Sequence, residues 1–466
     1  MQTDPQNIIF VMLDAARADT LKVYGGAGLE NTDAIARKGT IYKNAVASGT
    51  YTPTSHSSIF LNKRVMDYEP MKVKDIKAKT SLISMLDFIP DRSEPTLARK
   101  MEYIFGYNTA LISNNPFLSR ETGIAQGFNS VDNIFIDNNL VNVNLFIKAV
   151  IMMAESDRIK THLLLTAYRM LKLLPQDMRE SVYLKARKYM SMRMSKHLED
   201  SALDKGAKEV NALAKNFAEK NSGKNNFLFV NYMEGHEGYP VKDSEAIQDK
   251  WVYMSGIKPE SDMKAFKSAY MQRLRYADKK LAELMKTLKH NGMLDNALLV
   301  IASDHGQAFM EHGQMYHTVF PYKEVTDVPL ITARFVNGKQ VAEKEIVERR
   351  VSLTSLHNAI MNYAKTGSMR IKSDRFVFSD HTGHIDLYDL KLLKSLKNYS
   401  AYANSIYKTK ILFNQFASAI YYENYKLMHF HGTKKDELYD LSKDRYETQN
   451  IIKDNISIYN KMLKMA

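Results

Sequence analysis

The chain has 466 residues, of which 45% are hydrophobic, so it can bury a large core and a smaller second one. Its 65 Lys and Arg residues exceed its 52 Asp and Glu residues, which gives a formal net charge of +13. This composition excludes a predominantly disordered chain, and the charge favours anionic partners without identifying one. There is no cysteine, which excludes disulfides and thiolate chemistry and fits a reducing compartment.

The N-terminal segment, MQTDPQN, lacks the basic region, apolar core and small-residue cleavage site of a signal peptide. No run of about eighteen apolar residues occurs in the sequence, so no transmembrane helix is expected. We therefore expect a cytoplasmic protein. Peripheral contact with a membrane surface stays open, since the net charge is basic.

The first predicted element is a buried strand that ends at an acidic residue. Residues 8–13, IIFVML, are all apolar, as in a parallel strand that is covered on both faces. Asp14 follows this strand, and open α/β sheets bind their ligands beyond the carboxyl ends of parallel strands. Alone, Asp14 is equally well explained as the N-cap of a following helix.

A hydroxyl-rich turn follows a short helix predicted at 32–38 and an extended segment predicted at 39–47. The turn, GTYTPT (49–54), leads into a helix predicted at 55–61, and a further strand is predicted at 107–113. We expect the N-terminus of the helix at 55–61 to face the site. Its free backbone N–H groups and the positive end of its dipole would bind an anion such as phosphate or sulfate.

Two more buried strands are predicted at 226–232 and 298–303, and the second ends on Asp304 and His305. Together with Asp14, these strand ends supply carboxylate oxygens and an imidazole nitrogen, a suitable ligand set for a divalent cation. Because the ends of parallel strands lie at one edge of a sheet, we expect these side chains to converge.

Residues 138–220 are predicted to form a helical insertion, with Met and Leu stripes interleaved with Arg and Lys and a break at Pro175. Its basic amphipathic tract, 179–196, could cover a site or contact a membrane surface, but a packed helix with a charged outer face explains it more simply. Another long helix is predicted at 263–289.

The C-terminal part of the chain changes to a helix and short extended pieces. The helix is predicted at 353–364. The extended pieces lie at 375–378, 426–430 and 437–441. We therefore divide the chain into a large domain, 1–345, and a small C-terminal α+β subdomain with an antiparallel sheet, 346–466.

Four segments of the sequence are typical of one family. They are NIIFVMLDAARADTLKVYG (7–25), TYTPTSHSSIF (50–60), FLFVNYMEGHEGY (227–239) and ASDHGQAFMEHGQMYHTVFPYKEVTDVPLI (302–331). Together, and in this order, they resemble the sulfatase branch of the alkaline phosphatase superfamily. The resemblance implies a three-layer α/β sandwich around a large, mostly parallel central sheet, with a helical insertion and a small C-terminal α+β subdomain. It also implies a metal-dependent hydrolase of sulfate or phosphate esters.

The resemblance further implies a set of site residues and one or two divalent ions, which would be Ca, Mn, Mg or Zn. By expected role, the residues are the metal ligands Asp14, Asp304, His305 and Thr52, the catalytic residues Thr52, His236 and His317, and the substrate contacts His56, Glu234 and His312. Thr52 matches the family's nucleophile, and the two catalytic histidines would bind the anion or protonate the leaving oxygen. Alternatively, they would complete a second metal site with Glu234.

The chain departs from the sulfatase pattern at two positions. Sulfatases resemble one another in a C/S-x-P-x-R motif whose Cys or Ser becomes formylglycine, whereas this chain has Thr52-Pro53-Thr54-Ser55-His56. The family's paired Asp-Asp is Asp14-Ala15 here. Both changes resemble the threonine-nucleophile relatives, which include phosphodiesterases, phosphonate ester hydrolases and phosphoglycerol or phosphoethanolamine transferases. We therefore favour phosphoryl over sulfuryl transfer, with a small anionic ester as substrate.

Two other functions stay in competition. One is a phosphoglycerol or phosphoethanolamine transferase, although those relatives carry membrane spans or export signals that are not found in this sequence. The other is a non-catalytic basic binding protein on the same fold. The predicted site residues disfavour it, but the missing second Asp after the first strand keeps it open. Nucleic-acid binding would rest on net charge alone and is not expected. The sequence leaves the oligomeric state open.

Overall fold

The structure is a computed structural model that describes residues 6–67, 94–120, 122–134, 203–236, 250, 253–256, 263–383, 415–433 and 435–466. Most of the helical insertion predicted at 138–220, including its basic tract 179–196, lies outside the described residues. Across the described ranges, no helix combines the length and the apolar character that crossing a membrane would need.

The described strands and helices are numbered in chain order. The strands are β1 (Asn7–Leu13), β2 (Thr40–Val46), β3 (Asn108–Ser113), β4 (Ser130–Asn133), β5 (Asn226–Tyr232), β6 (Asn296–Ala302), β7 (Ala308–Phe309), β8 (Met315–Tyr316), β9 (Leu330–Val336), β10 (Lys339–Gln340), β11 (Glu345–Ser352), β12 (Phe376–Thr382), β13 (Phe416–Tyr422), β14 (Tyr425–Phe430) and β15 (Glu437–Asp440). The α-helices are α1 (Glu30–Ala36), α2 (Thr52–Leu61), α3 (Leu97–Phe105), α4 (Ala207–Asn221), α5 (Met263–His290), α6 (Lys323–Thr326), α7 (Leu356–Thr366) and α8 (Ile456–Leu463).

The central sheet has nine of the described strands, in the order β11-β2-β9-β6-β1-β5-β3-β4, with β10 paired to β9. Its strand pairs are parallel except those of β9, which runs antiparallel to β2, β6 and β10. Strand β1 therefore lies in the middle, between β5 and β6, and is buried along its whole length. The mostly parallel central sheet predicted from the sequence is confirmed.

Helices cover both faces of the central sheet, because alternate residues of its strands point to opposite sides. On one face, Ile9 belongs to the same apolar core as Leu281 of α5. On the other face, Phe10 belongs to a core with Phe60 of α2 and Ile360 of α7. Each such side chain contributes roughly 1.5–3 kcal/mol through burial. The result is the expected three-layer α/β sandwich.

A separate antiparallel sheet, ordered β12-β13-β14-β15, forms near the C-terminus, as predicted. It contacts the turn before α2, since the backbone N–H of Asp380 donates to the carbonyl of Ser48 at 3.1 Å. The predicted boundary at residue 345 stays a prediction. Strand β11 begins at that residue and pairs with β2 in the central sheet.

Helix α2 begins at Thr52, three residues before the predicted start at 55. Tyr51 is extended and serves as N-cap, and Pro53 follows in the first turn. Proline fits there because the first N–H groups of a helix have no partner inside the helix. Thr52 is therefore the first helical residue, at the positive end of the helix dipole.

The segment after Asp14 contains two short 3-10 turns, Ala18–Thr20 and Lys22–Tyr24, instead of the predicted α-helix. Ala15 has a positive φ of 59°, which ends the strand abruptly and prevents a right-handed helix from starting at Asp14. Such a strained backbone at a strand end is frequent at functional sites.

Candidate active site

Three strands and one helix meet at the carboxyl edge of the central sheet. Asp14 follows β1, Asp304 and His305 follow β6 after one residue, Asn115 follows β3, and Thr52 begins α2. All five are buried, with at most 2% of the side chain exposed. The predicted convergence of strand ends is thus the observed arrangement, and it gathers five buried polar side chains at one edge of the sheet.

Asp14, Asp304 and His305 form the one group of three acidic or imidazole side chains in the described residues whose ligand atoms lie within 4.8 Å of one another. His305 Nε2 is 3.4 Å from Asp304 Oδ2 and 3.8 Å from Asp14 Oδ1. These three atoms are buried and have no hydrogen-bond partner. Because unpartnered buried polar atoms are costly and rare, the three fit a single divalent cation.

The second oxygen of Asp14 is held by two carboxamides. Asp14 Oδ2 accepts from Asn115 Nδ2 at 2.8 Å and from Asn231 Nδ2 at 3.4 Å. Burial, and next the neighbouring Asp304 carboxylate, raise the pKa of Asp14 to about 6. Donors on one oxygen leave the other oxygen directed into the cluster, which is how outer contacts orient metal ligands.

Asp304 and His305 are oriented by backbone groups. Asp304 Oδ1 accepts from the N–H groups of Ala15 at 3.2 Å and His305 at 3.0 Å. His305 Nδ1 lies 3.0 Å from the carbonyl of Gly306, so it must carry the proton and leave Nε2 as a free acceptor. Gly306 is required here, because a Cβ atom would lie 2.1 Å from the carbonyl oxygen of Glu324.

The predicted nucleophile lies next to this cluster. Thr52 Oγ1 accepts from Asn115 Nδ2 at 3.2 Å, the same nitrogen that donates to Asp14. His56 Nδ1 donates to the backbone carbonyl of Thr52 at 3.0 Å and lies 3.6 Å from Asp304 Oδ2. The hydroxyl and the predicted metal ligands therefore share one hydrogen-bonded unit.

His56 is fully buried below the site, where its ring packs edge-on against Phe60 and Phe229. Burial lowers its pKa to about 4, so the imidazole is neutral at physiological pH. Its contact with the Thr52 carbonyl fixes the first turn of α2. Its predicted substrate contact stays a prediction.

The two predicted catalytic histidines stack beside the metal-ligand cluster. The His317 ring stacks on His305 with centroids 4.5 Å apart, and the His236 ring lies edge-on to His317 at 4.6 Å. His317 Nδ1 pairs with Gln307 Oε1 at 3.0 Å. The next residue, Thr318, donates its N–H to the Thr50 carbonyl at 2.9 Å, which joins this loop to the turn before Thr52.

Glu234 and His312 have contacts outside the three-residue cluster. Glu234 Oε1 accepts from the N–H groups of Lys205 and Ala207, both at 3.0 Å, and so caps α4. Burial raises the pKa of Glu234 to about 7. His312 stacks on Tyr322 at 4.0 Å, and burial lowers its pKa. Their predicted substrate contacts stay predictions.

Sequence reasoning missed Asn115 and Asn231. Asn115 lies in a turn to which no chemistry was assigned, and Asn231 is the one polar residue near the end of the apolar strand NFLFVNY. The available signal was the carboxamide of Asn231, which lies in a buried strand beside a predicted ligand site. A buried carboxamide must find polar partners.

Comparison with known proteins gives a family. The family model described as Sulfatase matches residues 6–366. Arylsulfatase K of Xenopus laevis is 27% identical over 105 residues, which is 22% of this chain and 19% of that protein. Choline-sulfatase of Rhizobium meliloti (strain 1021) is 34% identical over 74 residues, which is 16% of this chain and 14% of that protein. The matched stretches thus span less than a fifth of these curated relatives.

Among solved structures, the phosphonate monoester hydrolase of Agrobacterium radiobacter is similar to this chain with a TM-score of 0.62. The sequences are 15% identical, and the match covers 98% of this chain and 95% of that one. At this identity the likeness shows the fold alone, which agrees with the central sheet described above. With the family model matched over most of its length, the chain belongs to the sulfatase family, in the alkaline phosphatase superfamily.

Proposed function

We propose that the protein is a metal-dependent hydrolase of sulfate or phosphate esters that works through a covalent intermediate on Thr52. The observation that carries this proposal is the set of unpartnered, buried ligand atoms of Asp14, Asp304 and His305 beside a hydroxyl at a helix N-terminus. A divalent cation bound by these three residues would supply positive charge that polarises a substrate oxygen and lowers the pKa of a nearby hydroxyl.

The chain's own residues then perform the transfer. The N–H groups at the start of α2 bind the anionic group and align it with Thr52. The Thr52 proton leaves to solvent, Oγ1 bonds to phosphorus or sulfur, and the bond to the leaving oxygen breaks. His236 or His317 donates a proton to that oxygen. Water then cleaves the Thr52 ester, which releases the inorganic anion and restores the hydroxyl.

Phosphoryl transfer is the favoured reaction within this class. Thr52 replaces the Cys or Ser that formylglycine formation requires. The name of one similar structure, a phosphonate monoester hydrolase, agrees with a phosphorus-centred substrate. A transferase would use the same Thr52 ester with an alcohol as acceptor instead of water. The sequence predicts a cytoplasmic location and no nucleic-acid binding, and it leaves peripheral membrane contact open. These points remain predictions.

The test is hydrolysis of nitrophenyl phosphate, phosphate-diester, phosphonate-ester and sulfate substrates after chelation and re-addition of Mn, Mg, Ca or Zn. Thr52→Ala should lose at least about 10⁴-fold in kcat, as nucleophile variants do. Ser58→Ala is the matched control, because Ser58 is a buried hydroxyl of the same helix without a partner. Metal-dependent turnover that survives in Thr52→Ala would contradict the covalent mechanism, and no turnover with any ester would contradict the function.

A further inference from the structure

One side-chain nitrogen joins the nucleophile to a metal ligand. Asn115 Nδ2 lies 2.8 Å from Asp14 Oδ2 and 3.2 Å from Thr52 Oγ1. An amide nitrogen carries two hydrogens, so both bonds can form at the same time. The Thr52 oxygen receives a hydrogen bond here, which leaves its own proton free to depart.

The orientation of this amide is fixed by its surroundings. Asn115 Oδ1 accepts from the Phe117 N–H at 3.0 Å, which identifies the other branch of the amide as the donor. The backbone N–H of Asn115 donates to Ser113 Oγ at 2.8 Å, and its carbonyl accepts from Asn133 Nδ2 at 2.8 Å. Asn115 is 1% exposed, so water does not compete for the amide. The donor is therefore held in place before any substrate arrives.

We propose that Asn115 is a catalytic residue that donates to Thr52 Oγ1, aims it at the substrate and stabilises the negative charge that remains when its proton leaves to solvent. The bond that forms is Oγ1 to phosphorus or sulfur, the bond that breaks joins that atom to the leaving oxygen, and the leaving oxygen takes a proton from a histidine. This inference rests on the proposed function, because it assigns a role within the same site.

The hydrogen bond from Asn115 depends on the charge of the Thr52 oxygen. A hydrogen bond to a charged oxygen is roughly twice as strong as one to a neutral oxygen, so the donor favours the deprotonated hydroxyl. The hydrogen bond therefore strengthens as the oxygen becomes the attacking nucleophile.

Asn231 offers a matched comparison. Its Nδ2 also donates to Asp14 Oδ2, at 3.4 Å, and its other contact is Ser113 Oγ at 3.4 Å. Both asparagines are buried carboxamides on the same carboxylate oxygen. Asn115 Nδ2 also donates to Thr52 Oγ1, so the difference between Asn115→Ala and Asn231→Ala isolates that contact.

The experiment measures kcat and KM with a nitrophenyl ester at saturating Mn²⁺, beside Mn²⁺ affinity by calorimetry. Both variants should weaken Mn²⁺ binding by a similar factor, roughly tenfold, since both loosen Asp14. Asn115→Ala should in addition lower kcat by about 10- to 100-fold relative to Asn231→Ala, because it alone removes the donor to Thr52 Oγ1.

Urea unfolding of the metal-free variants guards against misfolding. Asn115→Ala and Asn231→Ala should both unfold cooperatively, so that a difference in kcat between them reports the contact with Thr52 and not a loss of fold. Equal values of kcat in Asn115→Ala and Asn231→Ala, with an active wild type, would overturn the inference and leave the proposed function intact. A wild type that hydrolyses no ester would overturn both.

Discussion

Two buried charged clusters in this protein differ in whether their atoms have partners. In the C-terminal region, Lys426 and Glu447 are 0% and 2% exposed, and Lys426 Nζ donates to both Glu447 oxygens at 2.8 Å. At the sheet edge, Asp14, Asp304 and His305 are equally buried, but each keeps one atom without a hydrogen-bond partner. The charged atoms of the first cluster are partners of each other, whereas the unpartnered atoms of the second cluster are suited to binding a cation.

The difference supports a structural role for the ion pair and the proposed cation-binding role for the second cluster. A buried ion pair whose charged atoms are hydrogen-bonded to each other has a structural role, since removal of one partner leaves the other charge buried and unpaired. Unpartnered carboxylates repel each other and reduce stability until a cation arrives. We therefore expect a bound cation to stabilise the folded state.

The largest expected effect follows from a change at the unsatisfied cluster. Asp304→Asn keeps the side-chain shape but removes a charge that the cation requires, so ester hydrolysis should fall by about 10³-fold or more. In chelator its stability should be unchanged or higher, because the repulsion with Asp14 is relieved. Initial rates and urea unfolding check both parts.

The control for that variant is Asp278→Asn. Asp278 is a buried carboxylate whose oxygens accept from the N–H groups of Asn31 at 2.9 Å and Thr32 at 2.8 Å. Its loss should reduce stability while metal-dependent activity persists. A chelated Asp304→Asn protein that is destabilised as much as Asp278→Asn would contradict the contrast between satisfied and unsatisfied sites.

Breaking the satisfied pair should produce the largest change in stability. Lys426→Met leaves Glu447 buried without its counter-ion, which should lower the free energy of unfolding by about 3–5 kcal/mol. Lys443→Met is the control, since the Lys443 side chain is 84% exposed and should change stability by less than about 0.5 kcal/mol. Denaturant unfolding measures both, and similar small changes in the two variants would count against a structural role for the pair.

A pH dependence of stability is expected from Glu234. Its pKa is raised from 4.5 to about 7, chiefly by burial, so the folded state holds the proton more tightly than the unfolded state. The resulting stabilisation is fully present below pH 4.5 and is lost as the pH rises through 7, an effect of about 3 kcal/mol. Unfolding from pH 4.5 to 8 should show a steeper loss of stability in the wild type than in Glu234→Gln, which keeps the contributions of Asp14 and Glu447, whose pKa values burial also raises.

The smallest predicted effect concerns the turn before the nucleophile. Thr50 Oγ1 contacts His381 Nδ1 of the C-terminal sheet at 3.0 Å. Thr50→Val keeps the shape and removes this bond, so stability should fall by about 1 kcal/mol and kcat by a few-fold through displacement of Thr52. An unchanged kcat at the same stability loss would show that the C-terminal sheet does not position the nucleophile.

The sequence predicted the parts of this site that follow from chain topology. Asp14, Asp304 and His305 each follow an apolar run. Parallel strands bring the residues that follow them to the same edge of the sheet, independently of loop conformation. The resemblance to the sulfatase family supplied Thr52, which no spacing rule would have selected. Apolar runs predicted the individual buried strands, and the family resemblance implied the large, mostly parallel sheet. The small antiparallel sheet was predicted from the short extended pieces of the C-terminal part.

The parts that the sequence did not predict depend on local backbone conformation. The positive φ of Ala15 replaced the expected helix after Asp14 with 3-10 turns, and propensities do not indicate such strain. Asn115 faces Thr52 only because its turn is fixed by Ser113 and Asn133. Glu234 points to α4 because the chain turns after β5, where the His236 N–H donates to the Met233 carbonyl at 3.0 Å.

The most direct test of the central claim is calorimetric titration of the chelated protein with Mn²⁺, for wild type and Asp304→Asn. The claim predicts one ion bound per chain in the wild type, a rise in thermal stability worth about 2.7 kcal/mol at a hundredfold excess over Kd, and neither effect in the variant. Absence of binding in the wild type, or equal binding in Asp304→Asn, would contradict the assignment of Asp14, Asp304 and His305 as a cation site.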